Sequence, residues 1–402
     1  MKKRIYAPIL LLGLLVAVFG CAKPAIKCVD PEDNPSHHYL LGMKLIDDGK
    51  IDDASAKFKR ALYCNDEFAP AYAGEAIAGA VRIASGNEKI ERADYDRVYR
   101  NLDRSFKYSE TKEDEFTAYV SSMRVYTALK PAKWLSKVEN DYKYAMKLKV
   151  DETRLVYYDG REGATYFMGV AYLEAGNFEQ ARDMFSSVLS VRSDSKWNEP
   201  ADRYWKKTDK IVRALAGTTV GDVGKKIAVM DSVSRGDMAA LLVDELHINR
   251  LFAGRIPVKS EMRRKKPDFV PSDLEGSPFK DEALVMIKWN IRGFQPVYDA
   301  ASKSYRFKPG EMMTRKEFAM ALEDILIKIT GNEGLASAFV GNERSPFPDV
   351  PPTAAWYNAV MNVTTRNIME AGLSGEFRPD DPVSGAEALL AIRVLRERLN
   401  VY

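Results

Sequence analysis

Phe307-Lys308-Pro309-Gly310-Glu311-Met312-Met313-Thr314-Arg315-Lys316-Glu317 and Phe377-Arg378-Pro379-Asp380-Asp381-Pro382-Val383-Ser384-Gly385-Ala386-Glu387 are two copies of one pattern. In each, a Phe-x-Pro is followed at the same offset by a hydroxyl residue, and three residues later by glutamate. An apolar helical run comes next, Phe318-Ala319-Met320-Ala321-Leu322 in one and Ala388-Leu389-Leu390-Ala391-Ile392 in the other. A weaker copy lies upstream as Ser234-Arg235-Gly236-Asp237, leading into Met238-Ala239-Ala240-Leu241-Leu242, with Ile227-x-Val229 in place of Phe-x-Pro. Ser/Thr-x-x-Glu is a capping box, in which the hydroxyl accepts from a backbone N–H one turn in and the carboxylate reaches back to the cap residue. Proline removes a donor and biases its predecessor away from helix, so Phe-x-Pro reads as extended. Each unit is therefore a helix, an extended loop with a buried aromatic, and a second, capped helix.

This pattern resembles the S-layer homology (SLH) module, whose family attaches proteins to cell-wall polymers. The last copy carries the family's order most fully, adding Phe347-Pro348-Asp349-Val350 and Trp356 upstream and Gly375-Glu376 before Phe377. The middle copy has extra residues around Asp299 to Ser304. The resemblance spans residues 216–402 and implies a mainly helical repeat domain. It also implies that Arg315 and Arg235, in the slot of the family's Thr-Arg-Ala-Glu arginine, read acidic groups of a wall saccharide. A guanidinium suits that task because it holds a carboxylate by two parallel hydrogen bonds. A local salt bridge is the alternative. The last copy has Gly385 in this slot. Trp356 is a candidate for stacking on a sugar or for core packing, and Asp349 for helix capping or ligand bonding.

The N-terminal half repeats a different unit. Leu41-Gly42-x-x-Leu45, Gly49-Lys50-Ile51-Asp52-Asp53-Ala54 and Phe58 recur at identical spacing as Met168-Gly169-x-x-Tyr172, Gly176-Asn177-Phe178-Glu179-Gln180-Ala181 and Phe185. This resembles the tetratricopeptide (TPR) pattern of paired antiparallel helices about 34 residues long. It implies an α-solenoid over residues 37–215 with Gly42 and Gly169 facing Ala54 and Ala181. It also implies an unidentified protein partner in the concave groove. A lone unit cannot bury its own face, so the charged, tyrosine-rich helices between the two copies complete the stack. Tyr157-Tyr158 either line the groove or pack. The fold class expected is all-α, a TPR-like solenoid followed by an SLH-like domain.

Met1-Lys2-Lys3-Arg4, the apolar stretch from Ile5 to Phe19, and Val18-Phe19-Gly20-Cys21 look like a bacterial lipoprotein signal over residues 1–20. Cys21 is then the lipidation residue and residues 21–36, with Pro24, Pro31 and Pro35, a spacer. Ala22, where a retention signal would place aspartate, points by analogy to the outer membrane, with the chain facing the periplasm. Removing Lys2, Lys3 and Arg4 leaves 57 basic against 57 acidic residues, no electrostatic match for nucleic acid. The run Arg263-Arg264-Lys265-Lys266 reads as a solvated loop or a contact to an acidic polymer. Cys28 and Cys64 remain after lipidation, in a compartment that permits a disulfide. Three histidines and two further cysteines without ligand spacing leave little for a metal, and no cofactor is implied. There is no phosphate loop, nucleophile elbow or His-Glu-x-x-His, so an enzyme is not expected. Two readings follow: a lipid-anchored envelope scaffold that binds peptidoglycan or another wall polymer, or an accessory lipoprotein of a secretion or outer-membrane assembly complex without glycan binding.

Overall fold

A computed structural model of the chain describes residue 28 and residues 30–86, 89–191, 194–216, 220–255 and 269–399. Cys21 and the basic run at 263–266 lie outside the described residues. Among the described residues are sixteen α-helices and one two-stranded hairpin, and no helix is long and apolar enough to cross a membrane. The chain is mostly helical, as its periodicity requires. It forms two compact units, Met1–Leu129 and Lys130–Tyr402.

The first unit contains α1 (Pro35–Asp47), α2 (Ile51–Cys64), α3 (Ala69–Ser85), α4 (Arg92–Lys107) and α5 (Lys112–Leu129). Helix α1 ends at Gly49 with φ +74°. There the Lys50 N–H reaches back to the Leu45 carbonyl and the Gly49 N–H to that of Ile46, the paired bonds of a Schellman turn. Glycine is needed because a Cβ penalises the left-handed conformation. The fully buried Phe58 ring is wedged between two helices. A Cβ on either Gly42 or Gly74 would come within 2.4 Å of its Cε1. Gly42 thus makes room for the aromatic of its own repeat. Cys28 and Cys64 form a disulfide, fastening the chain ahead of α1 to the end of α2. Asp33 joins this fastening, accepting from Arg60 Nη2 at 2.6 Å and from His38 Nε2 at 2.8 Å. The Arg60 hydrogen bond foremost, then that of His38, holds the Asp33 carboxyl down at about 2. From Cys28 onward the expected spacer is therefore tied to the helices.

The second unit begins with α6 (Trp134–Lys147), α7 (Glu162–Glu174), α8 (Phe178–Leu189) and α9 (Asn198–Leu215). The turn after α7 reproduces the turn after α1. Gly176 has φ +75°, and the Asn177 and Gly176 N–H groups bond to the Tyr172 and Leu173 carbonyls. Gly169 lies against Phe185 as Gly42 lies against Phe58. Tyr157 and Tyr158 are buried against Trp197, whose Nε1 donates to the Tyr158 carbonyl at 2.5 Å. They are core.

Beyond α9 come α10 (Asp222–Ala228), α11 (Arg235–Asp244), α12 (Ile248–Arg255) and α13 (Lys280–Lys288). The hairpin of β1 (Val297–Asp299) and β2 (Ser304–Arg306) holds the extra residues of the middle copy. Helices α14 (Arg315–Thr330), α15 (Tyr357–Thr365) and α16 (Gly385–Arg398) complete the chain. The change of repeat type near residue 216 does not coincide with the division at Leu129. Helix α9 packs along α16, which brings the helices before and after 216 into one unit.

The wedge generates a stability test. Phe58 is enclosed by Gly42 on α1 and Gly74 on α3, so it has no space to yield. Gly42→Ala is expected to destabilise the first unit by about 1–3 kcal/mol, read as a lowered midpoint in thermal unfolding followed by circular dichroism. An unchanged midpoint would mean that the ring shifts freely.

Candidate functional site

The three capped helices α11, α14 and α16 begin around one point. Just before their caps lie Val233, Met313 and Val383, and their backbones close a triangle. The Val233 N–H donates to the Val383 carbonyl, Val383 to Met313, and Met313 to Val233, each at 2.9 Å. Three equivalent segments that each donate to the next and accept from the one before describe a pseudo-threefold arrangement within a single chain. All three copies take part, including the one that lacks Phe-x-Pro.

The first N–H groups of each capped helix, which have no partner inside the helix, find carbonyls in a neighbouring copy. Arg235 and Gly236 donate to Glu311 and Pro309, and Arg315 and Lys316 to Asp381 and Pro379. The third helix completes the circuit differently, with Gly385 donating to Met230 at the end of α10. Ser234, Thr314 and Ser384 cap their helices as the spacing implies, accepting from Asp237, Glu317 and Glu387. Asp237 and Glu317 return the bond to the cap residue's N–H.

Glu387 is diverted to Arg315. The Arg315 guanidinium is buried, 1% exposed, and meets the Glu387 carboxylate through Nη1. Its Nε donates to the Phe377 carbonyl at 2.6 Å and Nη2 to that of Glu370 at 2.8 Å, with the plane 4.6 Å from the Phe377 ring centre. Arg235 does the same one copy earlier. It donates to the carbonyls of Phe307 at 2.9 Å and Gly293 at 2.5 Å, over the Phe307 ring, with Glu317 3.9 Å away. Desolvation by burial pulls both guanidinium pKa values down, Arg315 to about 10, so Arg315 remains charged at neutral pH. The structure therefore places these two arginines inside the repeat stack, each crossing from its own capped helix into the Phe-x-Pro loop of the next copy. Their donors point at carbonyls and a carboxylate of the chain itself.

Asp349 does not cap the helix that follows it. Its carboxylate accepts from the N–H of Phe377 at 2.9 Å and that of Arg378, which clamps the Phe-x-Pro loop. The clamp allows Arg378 to sit at φ +55°, so the residue before proline is left-handed where an extended conformation was expected. Asp273 is the counterpart in the preceding copy, accepting from Phe307 at 2.9 Å and Lys308 at 2.6 Å, with Lys308 at φ +58°. Sequence reading passed over Asp273, although Ser272-Asp273-Leu274 echoes Pro348-Asp349-Val350. The aspartate-to-Phe separation is 34 residues there and 28 in the last copy, and the inserted hairpin hides the match. Trp356 is half-buried at the residue preceding α15. Arg235, Arg315 and Asp349 thus belong to one inter-copy framework, and Trp356 lies outside the bonds just described. Glu323 was also missed. It is buried on α14 and pairs with Arg292 while accepting from Asn358 and Asn362, each at 2.6 Å.

Gly385 explains itself in this framework. A Cβ there would lie 1.6 Å from the Ile227 carbonyl oxygen. In the first copy α10 runs where the others have a Phe-x-Pro loop, and its carbonyl end fills the space that an arginine would cross. The missing Phe-x-Pro and the missing arginine are one structural event seen from two neighbouring copies.

Residues 346–389 match the family model for the S-layer homology domain. No curated protein and no solved structure matches the chain.

Two substitutions test the framework. Arg315→Ala strands Glu387 and two carbonyls and is expected to cost about 3–5 kcal/mol, the range for removing one partner of a buried ion pair. Gly385→Ala drives a methyl into Ile227 and is expected to cost at least about 1–3 kcal/mol. Denaturant unfolding measures both, and wild-type stability in either variant would refute the closed circuit.

Proposed function

We propose, from the S-layer homology domain at residues 346–389, that this chain binds a cell-wall or envelope polymer through its C-terminal repeats. The observation that carries this reading is the domain match, supported by closure of all three copies into one circuit. A polymer-binding module needs a rigid frame that presents a surface, and a frame held by backbone bonds and buried arginines supplies it. Arg315 and Arg235 act in this reading as the pins of the frame, and polymer contact falls to side chains around them.

The finer parts of the reading are carried by sequence. Lipid attached at Cys21 would hold the chain at the outer membrane, facing the periplasm. The helix pairs built around Phe58 and Phe185 would offer a groove to a protein partner. The chain would then tether a membrane-bound assembly to the wall. One observation favours a second reading, an accessory lipoprotein whose SLH-like half only packs: both motif arginines are occupied internally.

Co-sedimentation of the purified protein with isolated cell-wall sacculi separates the two. Pelleting that falls as salt is raised is the expected outcome, and retention in the supernatant at low salt would refute the polymer reading. For the anchor, Cys21→Ala is expected to move the protein from the membrane to the soluble fraction. Membrane retention of that variant would remove the lipid.

A further inference from the structure

Helix α9 carries Arg203, Lys206, Lys207 and Lys210, spaced three and four residues apart and therefore on one face. Like charges so placed repel, and this face is turned toward the start of α16. Together with Tyr204, Asp231 and Ser384 these four cations line an open pocket of about 370 Å³, within the range for small-ligand sites. Asp231 is the only carboxylate in that lining.

The cations are unequally engaged. Lys207 meets Asp231 at 2.7 Å, Lys206 meets Asp202 at 2.6 Å, and Arg203 lies 3.9 Å from Glu199. The last two are exposed pairs of a kind worth little, which a competing anion can displace. Lys210 differs. It is half-buried, and its ammonium has no hydrogen bond or ion pair with any described residue. Desolvation lowers its pKa, Glu370 opposes that, and Arg315, Arg213 and Arg378 add to the lowering. A desolvated ammonium among guanidinium groups costs stability unless an anion joins it. Hydroxyl donors complete the lining. Burial raises the Tyr204 pKa, so its phenol keeps its proton. Ser384 Oγ accepts from the Glu387 N–H at 3.3 Å, and its own proton has no acceptor among the described residues.

We propose that this pocket is a binding site for an oxyanion, a carboxylate or phosphate group carried on the envelope polymer, with Lys210 as its central contact and Arg203, Lys207 and Ser384 around it. The site lies between α9 and the cap of the last SLH-like copy, and it opens beside the one capped helix whose arginine slot is occupied by glycine. The source of the anion rests on the polymer-binding reading, whereas the anion chemistry does not.

The test uses the full purified protein with Lys210→Met and, as a variant at an exposed position that leaves packing alone, Arg203→Gln. Inorganic phosphate and acetate are titrated by calorimetry at low salt. Phosphate or acetate binding that weakens about tenfold in Lys210→Met is expected, the loss of one charge-assisted contact, with about threefold weakening in Arg203→Gln. Equal affinity in all three proteins, or no binding of either anion, would overturn the site. Sacculi then identify the source. Pelleting lost after cold hydrofluoric acid removes phosphodiester-linked polymer assigns phosphate, and pelleting lost after carbodiimide amidation assigns carboxylate. Wild-type pelleting by Lys210→Met overturns the polymer as the source of the anion while sparing the polymer reading. Anion binding without any pelleting sustains the pocket and overturns the polymer reading.

Discussion

Three backbone hydrogen bonds among Val233, Met313 and Val383 are the constraint on which the C-terminal half depends. Each segment is too short to be a strand and too close to proline or a cap to be helix. Each therefore leaves a donor and an acceptor that must be satisfied. A cyclic exchange satisfies all six groups at once, and only three segments with the same local geometry can make it. Around the triangle, first-turn N–H groups of the helices that follow it bond to carbonyls of neighbouring copies.

The arginines finish what the triangle begins. A guanidinium has five donors in a plane, so one side chain can hold two carbonyls and a carboxylate that belong to different parts of the next copy. Arg315 does this for the Phe377 loop, and Arg235 for the Phe307 loop. The cost of burying each charge is offset only because every partner is in place, which makes the frame all-or-none. The capping glutamates show the same economy: Glu317 serves its own cap, whereas Glu387 gives up that bond for Arg315. In the first unit a different principle operates, with two glycines opposing one phenylalanine and a disulfide closing the chain's entry.

Much of this was legible in the residues. Capping boxes and left-handed glycines are local devices, set by a few neighbouring residues, so Ser234, Thr314, Ser384, Gly49 and Gly176 could be read directly. The identical spacing of the two N-terminal repeats was matched by identical turns. Misreadings arose where a side chain acts at long range. Asp349 was read as a helix cap or a ligand contact, and it bonds a loop 28 residues away. The residue before each proline was read as extended and is held left-handed by an aspartate distant in sequence.

The sequence by itself determined the helical content, the two kinds of repeat, the caps, and the left-handed glycines that end helices. Those follow from periodicity and from steric rules that act within a turn or two of the chain. Only the tertiary structure decided where the arginines of the repeat go, because a guanidinium fits a wall carboxylate and a set of backbone carbonyls equally well. Burial at 1% for Arg315 and 5% for Arg235 settles their surroundings, and no local pattern encodes burial against another copy. The same holds for Lys210, one charge among 60 lysines and arginines in the sequence. It stands apart because folding half-buries it without supplying an acceptor among the described residues.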